Sequence, residues 1–203
     1  MTDQQQLKIC VHLKDGSVAR FVQEDPEAIR RTLDQVRYGT VFARPALMLS
    51  SEEQLVLYPT GAITCLDLII EPLPEDLIGP GGGEEGGDPW AWQTTEENWR
   101  QRYDGLRRDD ALTRRSLGVE GDPIVVFGEI AVMGGEVFFL EFFLYLPSVG
   151  QQRQFLRHLL SQPYVPFRGK EGGLSLINPA NILRHSFYPS PVPPAEAWPA
   201  RAM

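Results

Sequence analysis

Slid against itself by 119 residues, the sequence lays Leu55, Leu57, Ile63, Pro72 and Pro74 on Leu174, Leu176, Ile182, Pro191 and Pro193. The same offset puts Gly16 on Gly135 and Val18 on Val137. A chain that repeats its pattern in this way is constrained to pack two similar units against one another.

The first unit opens with Leu7, Ile9, Val11 and Leu13 alternating on one face of a strand, then Asp15-Gly16 as a tight two-residue turn and Val18–Val22 as the return. Asp25 is a good N-cap, Pro26 suits the first helical position, and Ile29, Leu33 and Val36 form an apolar stripe. Leu47–Leu49, Leu55–Tyr58 and Ile63–Ile70 read as three short strands, separated by Ser51-Glu52-Glu53 and Pro59-Thr60-Gly61. The second unit repeats the order. Ile124–Met133 and Glu136–Leu146 flank Gly134-Gly135, Ser148 and Gln151 make a capping box, and Phe155, Leu156, Leu159 and Leu160 face a core. Leu174–Ile177 and Ile182–Tyr188 follow as strands, with Asn178-Pro179-Ala180-Asn181 between them.

The expected fold is therefore α+β, with two duplicated β-β-α-β-β(-β) half-domains built on mostly antiparallel sheets. Residues 1–74 form the first repeat, 123–188 the second, and 189–203 a proline-rich tail with a Pro-x-x-Pro spacing. Residues 75–122 join the repeats. They begin with the acidic, glycine-rich stretch Gly79–Pro89, which has no apolar side chain and reads as a surface loop. An amphipathic helix follows, with Thr94 and Glu97 as its capping box.

Ionisable groups within apolar strands mark candidate chemistry. With Gly134-Gly135 as a two-residue loop, Glu141 falls opposite Gly128, and Glu129 and Glu141 point to opposite faces of a hairpin that is apolar on both. Desolvation raises the pKa of such carboxyls, and an arginine such as Arg153 or Arg157 is the expected partner. Phe139 and Phe143 lie on one face, which requires cover from this chain or from a partner. Cys10 and His12 share the less apolar face of the first hairpin, but the sequence supplies no third group to orient a catalytic pair. They read as a core thiol and a rim histidine, and His185 reads as a surface residue. The formal fingerprint Gly81–Gly86 carries two glutamates and no preceding strand, so it is not a nucleotide-binding loop. No metal-ligand spacing and no cofactor motif is present in the sequence.

The region around the joining helix carries Trp90, Trp92, Trp99 and Tyr103 among Arg100, Arg107 and Arg108, residue types favoured at interaction hot spots. A net charge of −8 argues against nucleic acid, although aromatics among arginines also suit single-stranded binding. The longest apolar run, Val137–Leu146, is too short for a membrane helix, and the N-terminus does not read as a signal peptide. Two cysteines in strand-like patterns fit free thiols of a cytoplasmic protein. The expected function is non-enzymatic: protein–protein interaction, assembly or regulation, with another protein or a second copy as partner. The alternatives are a small-ligand binder or enzyme with a pocket between the repeats, and a single-stranded nucleic-acid binder.

Overall fold

The computed structural model describes residues 5–50, 54–74, 77, 91–108, 124–144 and 149–188. The Gly79–Pro89 stretch, Trp90, the Ser148 cap and the proline-rich tail lie outside the described residues. The fold is mixed α/β, with a large, mostly antiparallel sheet and few helices. In chain order the elements are β1 (Leu7–Leu13), β2 (Val18–Gln23), α1 (Pro26–Arg37), β3 (Ala46–Ser50), β4 (Leu55–Pro59) and β5 (Ile63–Ile69). Then come β6 (Ala91–Thr94), α2 (Glu96–Arg108), β7 (Ile124–Val132), β8 (Val137–Leu144), α3 (Val149–Ser161), β9 (Val165–Arg168), β10 (Leu174–Ile177) and β11 (Ile182–Tyr188). Short 3-10 turns, Thr60–Ala62 and Pro179–Asn181, lead into β5 and β11.

Among the described residues, nine strands form one sheet in the order β11-β7-β8-β6-β9-β10-β5-β1-β2, while β3 and β4 pair only with each other. The sheet is antiparallel except where β6 meets β9, at Trp92 and Arg168. Each residue pair of the β5-β1-β2 ladder recurs 119 positions later in β11-β7-β8, including the irregularity that separates Ile63↔Leu13 and Ile182↔Val132 from the pairs beyond. The β3–β4 hairpin departs from this correspondence, because its register differs by one residue from that of β9–β10.

Both long hairpins turn through three residues rather than two. Gly16 alone has a positive φ (82°) in Lys14-Asp15-Gly16, and Asp15 accepts hydrogen bonds from the amide and hydroxyl of Ser17. In the second hairpin the amide of Val132 donates to the carbonyl of Glu136, so Met133, Gly134 and Gly135 form the loop. The extra residue shifts the pairing by one: Glu141 lies opposite Phe127, and Glu129 opposite Phe139. The expected register is thereby corrected, and Glu129 and Glu141 share a face. A one-residue slip exchanges the two faces of a strand.

Two cores lie on opposite faces. Beneath α1, Leu7, Ile9 and Val11 meet Ile29, Leu33 and Val36, together with Leu66 and Leu68 of β5 and Leu174 and Leu176 of β10. Beneath α3, Val126, Ile130, Phe138, Leu140 and Phe142 pack with Leu159, Val165 and Phe167. Complete burial of each such side chain stabilises the fold by about 1.5–3 kcal/mol. The first core is closed by two residues of β10, so the two halves of the chain are built into one another.

Candidate functional site

The α2 sector was the strongest expectation. The helix is capped by the hydroxyl of Thr95, which accepts from the amide of Asn98, rather than by Thr94, which belongs to β6. Trp99 is buried, with its ring 5.8 Å from Phe127, 5.8 Å from Phe139 and 5.4 Å from Tyr188. Tyr103 stacks beside it at 5.6 Å. These rings face the sheet, so Trp99 and Tyr103 offer no open platform for bases. Trp92 sits in β6 opposite Glu141, and Arg100 is exposed and paired with Glu96 at 2.6 Å. Arg107 and Arg108 fall in the last turn of α2, and Phe143 is a β8 residue opposite Val125. One face of the β7–β8 hairpin is thus covered by α2 and the other by the core under α3, both within the chain.

Both buried-strand carboxylates find arginines, though not the expected ones. Glu129 pairs with Arg184 at 3.3 Å and Glu141 with Arg102 at 2.6 Å. Burial pushes the Glu141 carboxyl up, against the pull of the Arg102 guanidinium. Arg102→Ala is therefore expected to cost about 1–2 kcal/mol at neutral pH, allowing for the exposure of Arg102. A carboxyl whose folded pKa is raised costs stability above that pKa and regains it on protonation. The loss should accordingly shrink as the pH is lowered, and Glu141→Gln in the same background should restore most of it. Urea titrations of the single and double variants at neutral and at acidic pH test this, and a pH-independent loss contradicts it.

A polar cleft lies on the face of β1, β5 and β10 opposite α1. Strand register places Cys10 and His12 opposite Asp67 and Cys65, with Ser175 also opposite Asp67. His12 Nε2 lies 2.7 Å from one Asp67 oxygen, and the Ser175 hydroxyl donates to the other at 2.6 Å. Glu136, from the β7–β8 turn, stands 3.6 Å from His12 Nδ1. The hydrogen bonds to Asp67 and then Glu136 raise the His12 pKa from 6.5 to about 9. Nucleophilic catalysis needs a neutral imidazole between carboxylate and hydroxyl. Here the carboxylate lies in the middle, the hydroxyl is bonded to it, and the imidazole already holds its proton. Burial also pushes up both the Cys10 and Cys65 thiols, which opposes thiolate formation. The cleft encloses about 220 Å³, below the roughly 300 Å³ at which small-molecule pockets begin.

The cleft does make a pH-dependent clamp. A histidine with a raised folded pKa stabilises the fold fully below its unfolded pKa of 6.5 and loses that contribution as pH rises through about 9. His12→Gln is expected to remove about 2–3 kcal/mol near pH 6 and little near pH 10. Denaturant unfolding across that range measures it, and an unchanged wild-type slope in the variant would show that His12 does not carry the effect.

His185 is half-buried rather than a surface residue, with its Nδ1 buried and unpartnered among the described residues. Its ring stacks on Phe187, and burial holds its pKa below the usual value. Among the described residues no cluster of histidine, cysteine and carboxylate side chains is arranged to hold a metal, and no helix is long and apolar enough to cross a membrane.

The β3–β4 hairpin was not singled out by sequence. Its inner residues, Leu47, Leu49 and Tyr58, pack on the first core. Its outer face shows Met48, Leu55 and Leu57 at 56%, 59% and 54% exposure. Met48 and Leu57 are directly opposite one another. Between β3, β2 and α1 lies a groove of about 650 Å³, lined by Phe21, Ala28, Val41, Leu47 and Leu49, with Arg31 and Arg44 also contributing. No family model, curated protein or solved structure matches the chain.

Proposed function

We propose that the chain is an internally duplicated β-β-α-β-β-β protein that works as a non-catalytic binding or assembly module, with the outer face of β3–β4 as its contact surface. The observation that carries this reading is the adjacency of Met48, Leu55 and Leu57 on a hairpin that has no ladder to the main sheet among the described residues. Leaving such side chains half in water forgoes about 1 kcal/mol each, which a contact recovers. The recurring strand register supports the duplication. The protonated His12 and the carboxylate-bound Ser175 support a structural role for the polar cleft. Free Cys10 and Cys65 support a reducing, cytoplasmic setting.

The test is affinity capture of the full chain beside its Leu55→Glu/Leu57→Glu variant, with nuclease treatment, combined with the solution mass of each. A stoichiometric partner or a self-complex that the variant loses is the expected result. Retention of every complex by the variant rules out this surface. A second reading, an apolar small-molecule carrier, is favoured only by the volume of the β2–β3–α1 groove. A medium-chain fatty acid that raises the melting temperature, but fails to do so in Leu47→Arg, would favour it.

A further inference from the structure

The main sheet contains its own template for an interface. Strands β5 and β11 hold the same ladder positions on β1 and β7. The second edge of β5 is covered by β10, with Leu174, Ser175, Leu176 and Ile177 opposite Leu68, Asp67, Leu66 and Cys65. The second edge of β11 carries no ladder among the described residues. The chain also contains the counterpart of the covering strand. β10 runs into β11 through the 3-10 turn Pro179–Asn181, and β4 runs into β5 through Thr60–Ala62 in the same way. Among the described residues β4 pairs only with β3, and its other edge carries no ladder. Thus one hairpin has docked on one edge, and among the described residues the corresponding hairpin and the corresponding edge carry no such ladder.

The side chains agree with the strand positions. Leu174 and Leu176 of β10 are buried in the first core, whereas their counterparts Leu55 and Leu57 are more than half exposed. Beside the open edge of β11 is a groove of about 280 Å³ that includes Leu159, Leu160, Ile182, Leu183 and His185. Leu160 and Leu183 are largely exposed there. The chain's own hairpin is held at the other end of the ladder, where Tyr58 packs on Phe21 of β2 with ring centroids 6.1 Å apart.

We propose that β4 of one copy of the chain adds to the β11 edge of a second copy, in the antiparallel register that β10 uses on β5. The pairs are Leu55 with Phe187, Val56 with Ser186, Leu57 with His185, and Tyr58 with Arg184. Leu55 and Leu57 then enter the groove beside α3, and backbone hydrogen bonds close two open strand edges. This self-pairing rests on the assembly reading and names its partner.

The test uses the full chain at about 1 μM to about 100 μM in light scattering and sedimentation. Self-association is expected, weakened at least about ten-fold by Leu57→Glu. The variant should keep the wild-type melting temperature, because Leu57 is exposed. Register is read separately by mixing the single variants Val56→Cys and Ser186→Cys. Directly opposite positions bring their Cβ atoms to about 5 Å, close enough to form a disulfide between copies. A mixture of Val56→Cys with His185→Cys, one position along and on the other face, should cross-link far less. A monomer at the highest concentration, a complex indifferent to Leu57→Glu, or equal cross-linking in both mixtures each overturns the proposal. A monomer that still holds a different protein through Leu57 sinks self-pairing but leaves the assembly reading standing. A monomer with no Leu57-dependent partner sinks both.

Discussion

Gly173→Ala is expected to cost about 3 kcal/mol of folding free energy. A Cβ at this position would lie 2.6 Å from the carbonyl oxygen of Leu68, 2.7 Å from Ile69 Cγ1 and 3.0 Å from Ile69 Cα. Two of these three atoms are backbone, so rotamer changes alone cannot relieve the clash. Gly173 immediately precedes β10, whose ladder with β5 joins the second half of the chain to the first. The methyl group therefore forces apart the seam that Leu174 and Leu176 close over the first core. Gly61→Ala is the control, because a Cβ there meets nothing within 4 Å. It should change stability by less than about 0.5 kcal/mol. Urea unfolding of both variants decides the matter: a Gly173→Ala loss no larger than that of Gly61→Ala would mean that the seam yields freely.

The joint beside that seam gives the second large effect. Asn178 donates to the carbonyls of Thr60 at 2.9 Å and Ile63 at 3.1 Å, and Asn181 donates to Gly61 at 3.2 Å and also to Ile63. Both asparagines are almost fully buried. Removing either amide leaves a backbone carbonyl of the first half short of a donor, at a cost of about 2 kcal/mol. Asn181→Asp should cost more than Asn181→Ala, because a carboxylate would then face carbonyl oxygens. Since both amides share the Ile63 carbonyl, each single variant leaves it one donor and only the double alanine variant orphans it, so the double should lose more than the sum of the singles. Strict additivity in a double-mutant cycle would contradict a shared acceptor.

The elements legible in the sequence were those whose signals are local. Asp25-Pro26 and the Ile29, Leu33, Val36 stripe specify α1, and the Asp25 carboxylate does accept from the amides of Glu27 and Ala28. Alternation and well-placed glycines gave the two long hairpins, but a one-residue error in loop length put Glu129 and Glu141 on opposite faces when they share one. β6 was invisible because Ala91–Thr94 carries little strand pattern of its own, and its conformation comes from β8 and β9 on either side. β9 was hidden by Pro166, which has no amide hydrogen to donate. The sheet tolerates it where the β6 ladder is confined to Arg168. The polar cleft could not be read, because Asp67 meets His12 across 55 residues and Ser175 across 108. The exposed leucines of β4 were indistinguishable from core leucines, since only the docked position of β10 reveals which edge is already taken.

Synthesis proceeds from the N-terminus, and this gives the β5–β10 pairing a cost in time. The β5 edge is made about a hundred residues before the strand that covers it, and at about 5–20 residues per second it stays open for several seconds. During that interval the nascent chain presents an uncovered β5 edge at the rim of an incomplete core. Asp67, the one carboxylate on that strand, then acts as a gatekeeper. Its charge discourages neighbouring chains from pairing there until Ser175 arrives to bind it.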